Sequence, residues 1–137
     1  MTKVRDVMTA EPIVLQQDQS IADAAQAMRD NAVGAILVVD GDRLCGLVTD
    51  RDIVVRAVAE AVPLDSPVGR VVSPDLIAVG ADDEADDAAR VMQANAIRRL
   101  PVMDDGRIVG IVSIGDLAVS RGEDSALADI SAAEPRQ

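Results

Sequence analysis

Gly46-Leu47-Val48-Thr49-Asp50-Arg51-Asp52 returns as Gly110-Ile111-Val112-Ser113-Ile114-Gly115-Asp116: a glycine, two apolar residues, a hydroxyl and, three residues on, an aspartate. The offset of 64 residues from Gly46 to Gly110 holds without a gap outside the heptapeptide as well. Val4 and Val7 match Val68 and Val71, and Asp23-Ala24-Ala25 with Met28 and Asn31 match Asp87-Ala88-Ala89 with Met92 and Asn95. Val38, Asp40 and Arg43 match Val102, Asp104 and Arg107 in the same register. Self-similarity at one fixed period over most of a chain predicts a duplicated structural unit. A motif carried by the repeat then occurs twice, in equivalent surroundings.

The 137 residues, 49% of them apolar, suffice to bury a core. With no Phe, Tyr or Trp, that core is built from Val, Ile, Leu, Ala and Met, and a bound planar ring would lie between aliphatic side chains. A net charge of −11 opposes attraction to nucleic acid or an anionic membrane surface, so neither is expected as a partner. The opening residues lead into no apolar run of signal-peptide or membrane-span length, and the chain reads as cytoplasmic. The lack of histidine removes the usual general base and the commonest metal ligand. Cys45 is the single cysteine; no intrachain disulfide can form, and its apolar neighbours predict a buried core thiol.

Each copy opens with a short apolar pair, Val7-Met8 or Val71-Val72, and continues through a proline into strands predicted over Ile13 to Leu15 and Ile77 to Val79. Ser20 reads as a helix N-cap, followed by Ile21, Ala24, Ala25 and Met28 at helical spacing, with Asn31 at the end. Ala35 to Val39 and Leu44 to Val48, around Asp40-Gly41-Asp42, form a hairpin, as do Leu100 to Met103 and Ile108 to Val112 around Asp105-Gly106. A second helix is predicted from about Asp50 to Ala61 and from about Ile114 to Arg121. The fold class is therefore α+β, two tandem β-α-β-β-α repeats that cover each other's apolar faces about a pseudo-two-fold axis. The expected divisions are residues 4–61, a linker at 62–67, residues 68–121, and an acidic tail at 122–137.

Gly-apolar-apolar-Ser/Thr-x-x-Asp at two strand-to-helix junctions, inside β-α-β-β-α repeats, resembles the cystathionine-β-synthase (CBS) domain family. The likeness runs from about residue 4 to 121. The stretch Leu47-Val48-Thr49-Asp50-Arg51-Asp52-Ile53-Val54 and the chain length are also similar to the small stand-alone CBS-pair proteins of actinobacteria, hypoxic response proteins among them. The resemblance implies a non-catalytic regulatory module, tied to stress, that senses AMP, ADP, ATP or S-adenosylmethionine in clefts between the repeats. No cofactor is required on that reading. Asp52 and Asp116 would accept hydrogen bonds from ribose hydroxyls, and Thr49 and Ser113 would favour a phosphate at a helix N-terminus. Ile13 and Ile77 match the family strand that lies along adenine. The resemblance further implies a homodimer formed through helices, with any output passing to a separate effector protein.

The residues also admit a plainer reading. Ser/Thr-x-x-acid ahead of a helix is a capping box, which needs no ligand. The copies differ beside it: the second carries Arg98-Arg99, similar to the basic pair that family members set against phosphate, where the first has Gly34-Ala35. Arg51 and Arg56, on the helix after the first motif, are weaker candidates for that role, since arginines so placed are more often surface residues. The acidic run from Asp82 to Asp87 lacks the glycine and spacing of a calcium loop and suits a first helical turn, so no metal site is expected. With no nucleophile-base pair and no phosphate loop, the sequence offers no catalytic residues and does not read as an enzyme. The alternative to ligand sensing is a ligand-free module for dimerisation or protein docking.

Overall fold

The computed structural model describes residues 2–73 and 77–121. The acidic tail and the segment from residue 74 to 76 lie outside the described residues. In chain order the elements are α1 (Val4–Val7), β1 (Thr9–Ala10), β2 (Val14–Gln16), α2 (Ile21–Asn31), β3 (Ala35–Asp40), β4 (Arg43–Thr49) and α3 (Asp50–Asp52). There α3 runs on as a π-helix, Ile53–Val58, and a 3-10 turn follows at Val68–Arg70. Then come β5 (Val79–Gly80), α4 (Ala85–Asn95), β6 (Arg99–Asp104), β7 (Arg107–Ser113) and α5 (Ile114–Arg121). The β-α-β-β-α order expected of each repeat is present twice.

The chain divides into two compact units, one holding residues 13–73 and the other residues 2–12 with 77–121. In the first unit β2 and β3 are parallel neighbours joined through α2, and β3 turns back into β4. Its core gathers Leu15, Ile21, Ala24, Met28, Ile36, Val38, Val48, Ile53 and Ala57. In the second unit β5 and β6 are parallel, β6 and β7 form the hairpin, and Val79, Ala88, Met92, Leu100, Val102, Val112 and Leu117 form the core.

The opening segment of each sequence repeat is housed in the unit built by the other repeat. Val4 is fully buried in the core of the 77–121 unit, its N–H donates to the Asp83 carbonyl at 2.9 Å, and β1 pairs with β7. In the same way Val68 and Val71 join the core of the 13–73 unit, and the Val68 and Gly69 N–H groups donate to the carbonyls of Gln19 and Gln17. Arg5 fastens the first of these segments: Nε lies 2.9 Å from Asp82 Oδ1 and Nη2 lies 3.2 Å from Asp104 Oδ2. The guanidinium holds the Asp82 carboxyl below its usual range, first by hydrogen bonding and then by charge.

Boundary differences have local causes. The strands begin at Val14 and Val79 rather than at Ile13 and Ile77, because ladder pairing starts at Val14↔Leu37 and Val79↔Val102. The helix after Asp50 gives way to turns from Ala59 instead of reaching Ala61. Both hairpins carry a register shift, between Val38/Val39 and Val102/Met103. The shift leaves Cys45 and Val109 as bulge residues. Cys45 is accordingly half-buried, with Sγ 3.7 Å from Gln17 Oε1, and not a fully buried thiol.

Both long helices end alike. The Val33 N–H reaches back to the Met28 carbonyl (3.1 Å) and the Ile97 N–H to that of Met92 (3.0 Å), the Schellman pattern, with Ala32 and Ala96 left-handed at φ 53°. Both alanines are exposed, so neither methyl is needed for packing. A left-handed non-glycine residue costs roughly 1–2 kcal/mol, against about 0.5–1 kcal/mol of extra chain entropy lost by glycine. Ala32→Gly and Ala96→Gly are each expected to raise stability by about 0.5–1 kcal/mol in urea denaturation.

Candidate functional site

The two heptapeptides occupy the strand-to-helix junctions β4-α3 and β7-α5. Strand alternation places Val48 and Val112, both fully buried, in the cores, and Thr49 and Ser113 on the opposite face. Thr49 is extended (φ −111°, ψ 165°) as the last residue of its strand and caps the following turn. Its Oγ1 accepts the Asp52 N–H at 3.1 Å, while Asp52 Oδ2 accepts the Thr49 N–H at 2.9 Å. Ser113 and Asp116 repeat the arrangement at 3.0 and 2.8 Å. The capping reading is thus a fact of both junctions.

Capping does not exhaust the chemistry. Ser20 and Asp23 make the same reciprocal pair on α2, at 3.0 and 3.3 Å, on an exposed surface. The heptapeptide pairs are partly buried. Each uses one carboxylate oxygen in the cap, leaving Oδ1 of Asp52 and of Asp116 outside it.

What stands beside the caps separates the two copies. In the second, the ladder sets Arg99 opposite Ser113, and the Arg98 carbonyl accepts the Ile114 N–H at 2.8 Å. Arg98 is exposed and Arg99 half-buried, so two guanidinium groups originate next to the hydroxyl and the acid at the start of α5. In the first, the same backbone positions are Ala35 opposite Thr49 and Gly34 accepting from Asp50 at 3.0 Å. Ile13 is half-buried and packs on its core; its carbonyl accepts the Leu37 N–H at 3.0 Å, while Ile36 pairs with Val48. Ile13 therefore lies at the Thr49 end of the sheet, one strand away. Ile77 is half-buried against the second core, ahead of β5, with β6 between it and the junction.

Close backbone approach and a third arginine also shape the junctions. The glycines that open the heptapeptides are sites of close approach: a Cβ on Gly46 would lie 2.5 Å from Val72 Cγ1, and one on Gly110 would lie 2.7 Å from the Thr9 carbonyl oxygen. Arg56, a weaker candidate by its sequence, sits with Nε 3.7 Å from Asp52 Oδ1 and Nη1 3.5 Å from the Val72 carbonyl. The i,i+4 spacing of Asp52 and Arg56 is the available signal. In the acidic run, Asp82 is taken by Arg5, Asp83 accepts the Gly80 N–H at 2.8 Å, and Asp87 pairs with Arg90. Among the described residues no three Asp, Glu, Cys or His side chains form a group able to hold a metal. No helix among them is long and apolar enough to cross a membrane.

Known proteins share this architecture and sequence. The chain is 39% identical to the CBS domain-containing protein YhcV of Bacillus subtilis over 135 residues, covering 96% of each. It is 35% identical to hypoxic response protein 1 of Mycobacterium tuberculosis, covering 86% of this chain and 84% of that one. Among solved structures, the CBS domain pair of protein MJ0100, in complex with 5′-methylthioadenosine and S-adenosyl-L-methionine, superposes with a TM-score of 0.81 at 28% identity, covering 91% of this chain and 99% of that one. CBSX2 in complex with AMP superposes with a TM-score of 0.76 at 28% identity, covering 90% and 98%. The family model for the CBS domain matches twice, over residues 4–58 and 68–121, each match enclosing one capped heptapeptide. The duplicated junction is therefore that of a tandem pair, and the chain belongs to the CBS domain family.

Proposed function

We propose that this chain is a non-catalytic regulatory module whose second-copy junction takes an adenosine-containing ligand: AMP, ADP, ATP or S-adenosylmethionine. The observation that carries the reading is the convergence of Arg98, Arg99, Ser113 and Asp116 at one strand end. Asp116 Oδ1 is available to ribose hydroxyls, the Ser113 hydroxyl at the start of α5 to a phosphate, and the arginines to its charge. Ile77 would lie along the base, and in the first copy Thr49, Asp52 and Ile13 form the weaker counterpart. The adenosyl ligands of similar CBS pairs support this choice. The module works in the cytoplasm as a homodimer and passes its state to a separate effector protein, in a stress response of the kind named by its mycobacterial relative.

A ligand that binds only the folded chain stabilises it by mass action, about 2.7 kcal/mol at a hundredfold excess over Kd. Thermal melts followed by circular dichroism, with millimolar AMP, ATP and S-adenosylmethionine in turn, are expected to shift upward with at least one of them. Unchanged melts with all three would leave the second reading, a docking module. Its supporting observation is the row Val54, Val55 and Val58, which are 58%, 45% and 60% exposed on the π-helix. Gel filtration at two concentrations tests the dimer.

A further inference from the structure

The two junctions offer a ligand unequal acids. Asp52 and Asp116 make the same cap through Oδ2, and in both a ribose would have to be met by Oδ1. At the first junction that oxygen faces a cation: Arg56 Nε is 3.7 Å away, and Nη1 donates to the Val72 carbonyl at 3.5 Å. The Asp52 side chain is only 18% exposed and that of Arg56 44%, so the pair is partly shielded from water. At the second junction the matching position is Ser120, which carries no charge, and no cation among the described residues pairs with Asp116. The helix bearing Arg56 also differs. Beyond Asp52 it takes the π register, with the Ala59 N–H bonded to the Val54 carbonyl five residues back, whereas the second-copy helix is α throughout.

We propose that Arg56 is an internal occupant of the first junction: by pairing with Asp52 Oδ1 and tying itself to the Val72 carbonyl, it competes with a ribose there and directs adenosyl ligands to Asp116. A ligand entering the first junction must displace the guanidinium or share its carboxylate; one entering the second meets no such competitor among the described residues. The inference rests on the adenosyl reading above and adds which copy is selective, and why. It also gives the first copy a role without ligand, since the Asp52-Arg56-Val72 bridge ties the heptapeptide to the segment that crosses it.

The test isolates the first junction by disabling the second. Isothermal titration with AMP is made on Asp116→Asn and on the double variant Asp116→Asn, Arg56→Gln, with circular dichroism melts as a folding control. An exposed to half-exposed ion pair is worth at most about a fivefold change in a binding constant. The double variant is expected to bind AMP about fivefold tighter than Asp116→Asn, and a further Asp52→Asn change to abolish the gain. Equal or weaker binding in the double variant overturns the proposal, weaker binding meaning that Arg56 holds the ligand instead. Two equal sites in the unaltered protein overturn it too while leaving the adenosyl reading intact. If the unaltered protein binds no AMP, ATP or S-adenosylmethionine, both fall. Independently of any ligand, the Nε–H proton of Arg56 is expected to exchange with solvent more slowly than that of exposed Arg51 in side-chain NMR, and equal exchange refutes the pairing.

Discussion

Gly110→Ala is expected to lower stability by about 3 kcal/mol, more than the same change at Gly46 or Gly106, and to drop the melting temperature by about 10 °C. The new Cβ would lie 2.7 Å from Met8 Sδ and 2.7 Å from the Thr9 carbonyl oxygen. The thioether can swing aside, but the carbonyl belongs to β1, whose pairing Ala10↔Gly110 fixes it against β7. Relief therefore requires β1 to part from the sheet, and α1 with Val4 to shift in the core. Gly46→Ala meets a softer obstacle, Val72 Cγ1 at 2.5 Å and the Ser73 carbonyl at 3.2 Å, and is expected to cost about 2 kcal/mol. A double-mutant cycle separates the causes: Val72→Ala should recover part of the Gly46→Ala loss, whereas Met8→Ala should recover little of the Gly110→Ala loss. Gly106→Ala is the control, because nothing lies within 4 Å of its Cβ and only its left-handed φ of 76° is at stake. If Gly110→Ala cost no more than Gly106→Ala, the crossing of the heptapeptide by β1 would not constrain the fold.

Those glycines mark the boundary of what the sequence carries. Local patterns are readable: Ser20 as cap, Asn31 as the last residue of its helix, both hairpins, and the Ser/Thr-x-x-Asp junctions all follow from near neighbours. Even the quality of the turns is legible, since Asp105-Gly106 is left-handed at both residues (φ 52° and 76°), as its sequence suggests. The duplication, however, says nothing about which copy's sheet receives which opening segment. Val4 and Val68 are equivalent in sequence and equally buried, and only tertiary pairing assigns each to the unit of the other repeat. The glycine of the motif is required by that exchange, through contacts with Met8-Thr9 and Val72-Ser73 that no local pattern announces. The π register of Ile53–Val58 is hidden for a different reason: Ile53 and Ala57, the residues it buries, are spaced as an α-helix would also space them. At the junctions, the residue types imply the caps and the arginine pair. Arg56 is only a weaker candidate by residue type because a lone arginine on a helix is usually solvated, and its partner Val72 lies outside the helix.

The second large effect is expected at Asp116. In Asp116→Asn the amide oxygen can still accept the Ser113 N–H, so the cap persists and stability should fall by no more than about 1 kcal/mol. The other arm of the side chain becomes an NH2 group, which cannot accept the hydrogen bonds that Oδ1 would take from ribose hydroxyls. Bonds to a charged acceptor are worth roughly 1.5–3 kcal/mol each, so losing two, with some recovery from the amide, should weaken AMP binding on the order of 50-fold. Asp23→Asn supplies the comparison that separates capping from binding. Asp23 makes the same reciprocal pair with Ser20, on an exposed surface outside both heptapeptides, so its variant should lose as much stability and keep the full ligand response. Isothermal titration and thermal melts on the two variants give four numbers. The adenosyl reading requires the two stabilities to agree and the two affinities to diverge. If both variants respond to AMP as the unaltered protein does, Asp116 is a cap and nothing more, and the arginine pair beside it must answer to something other than a ribose phosphate.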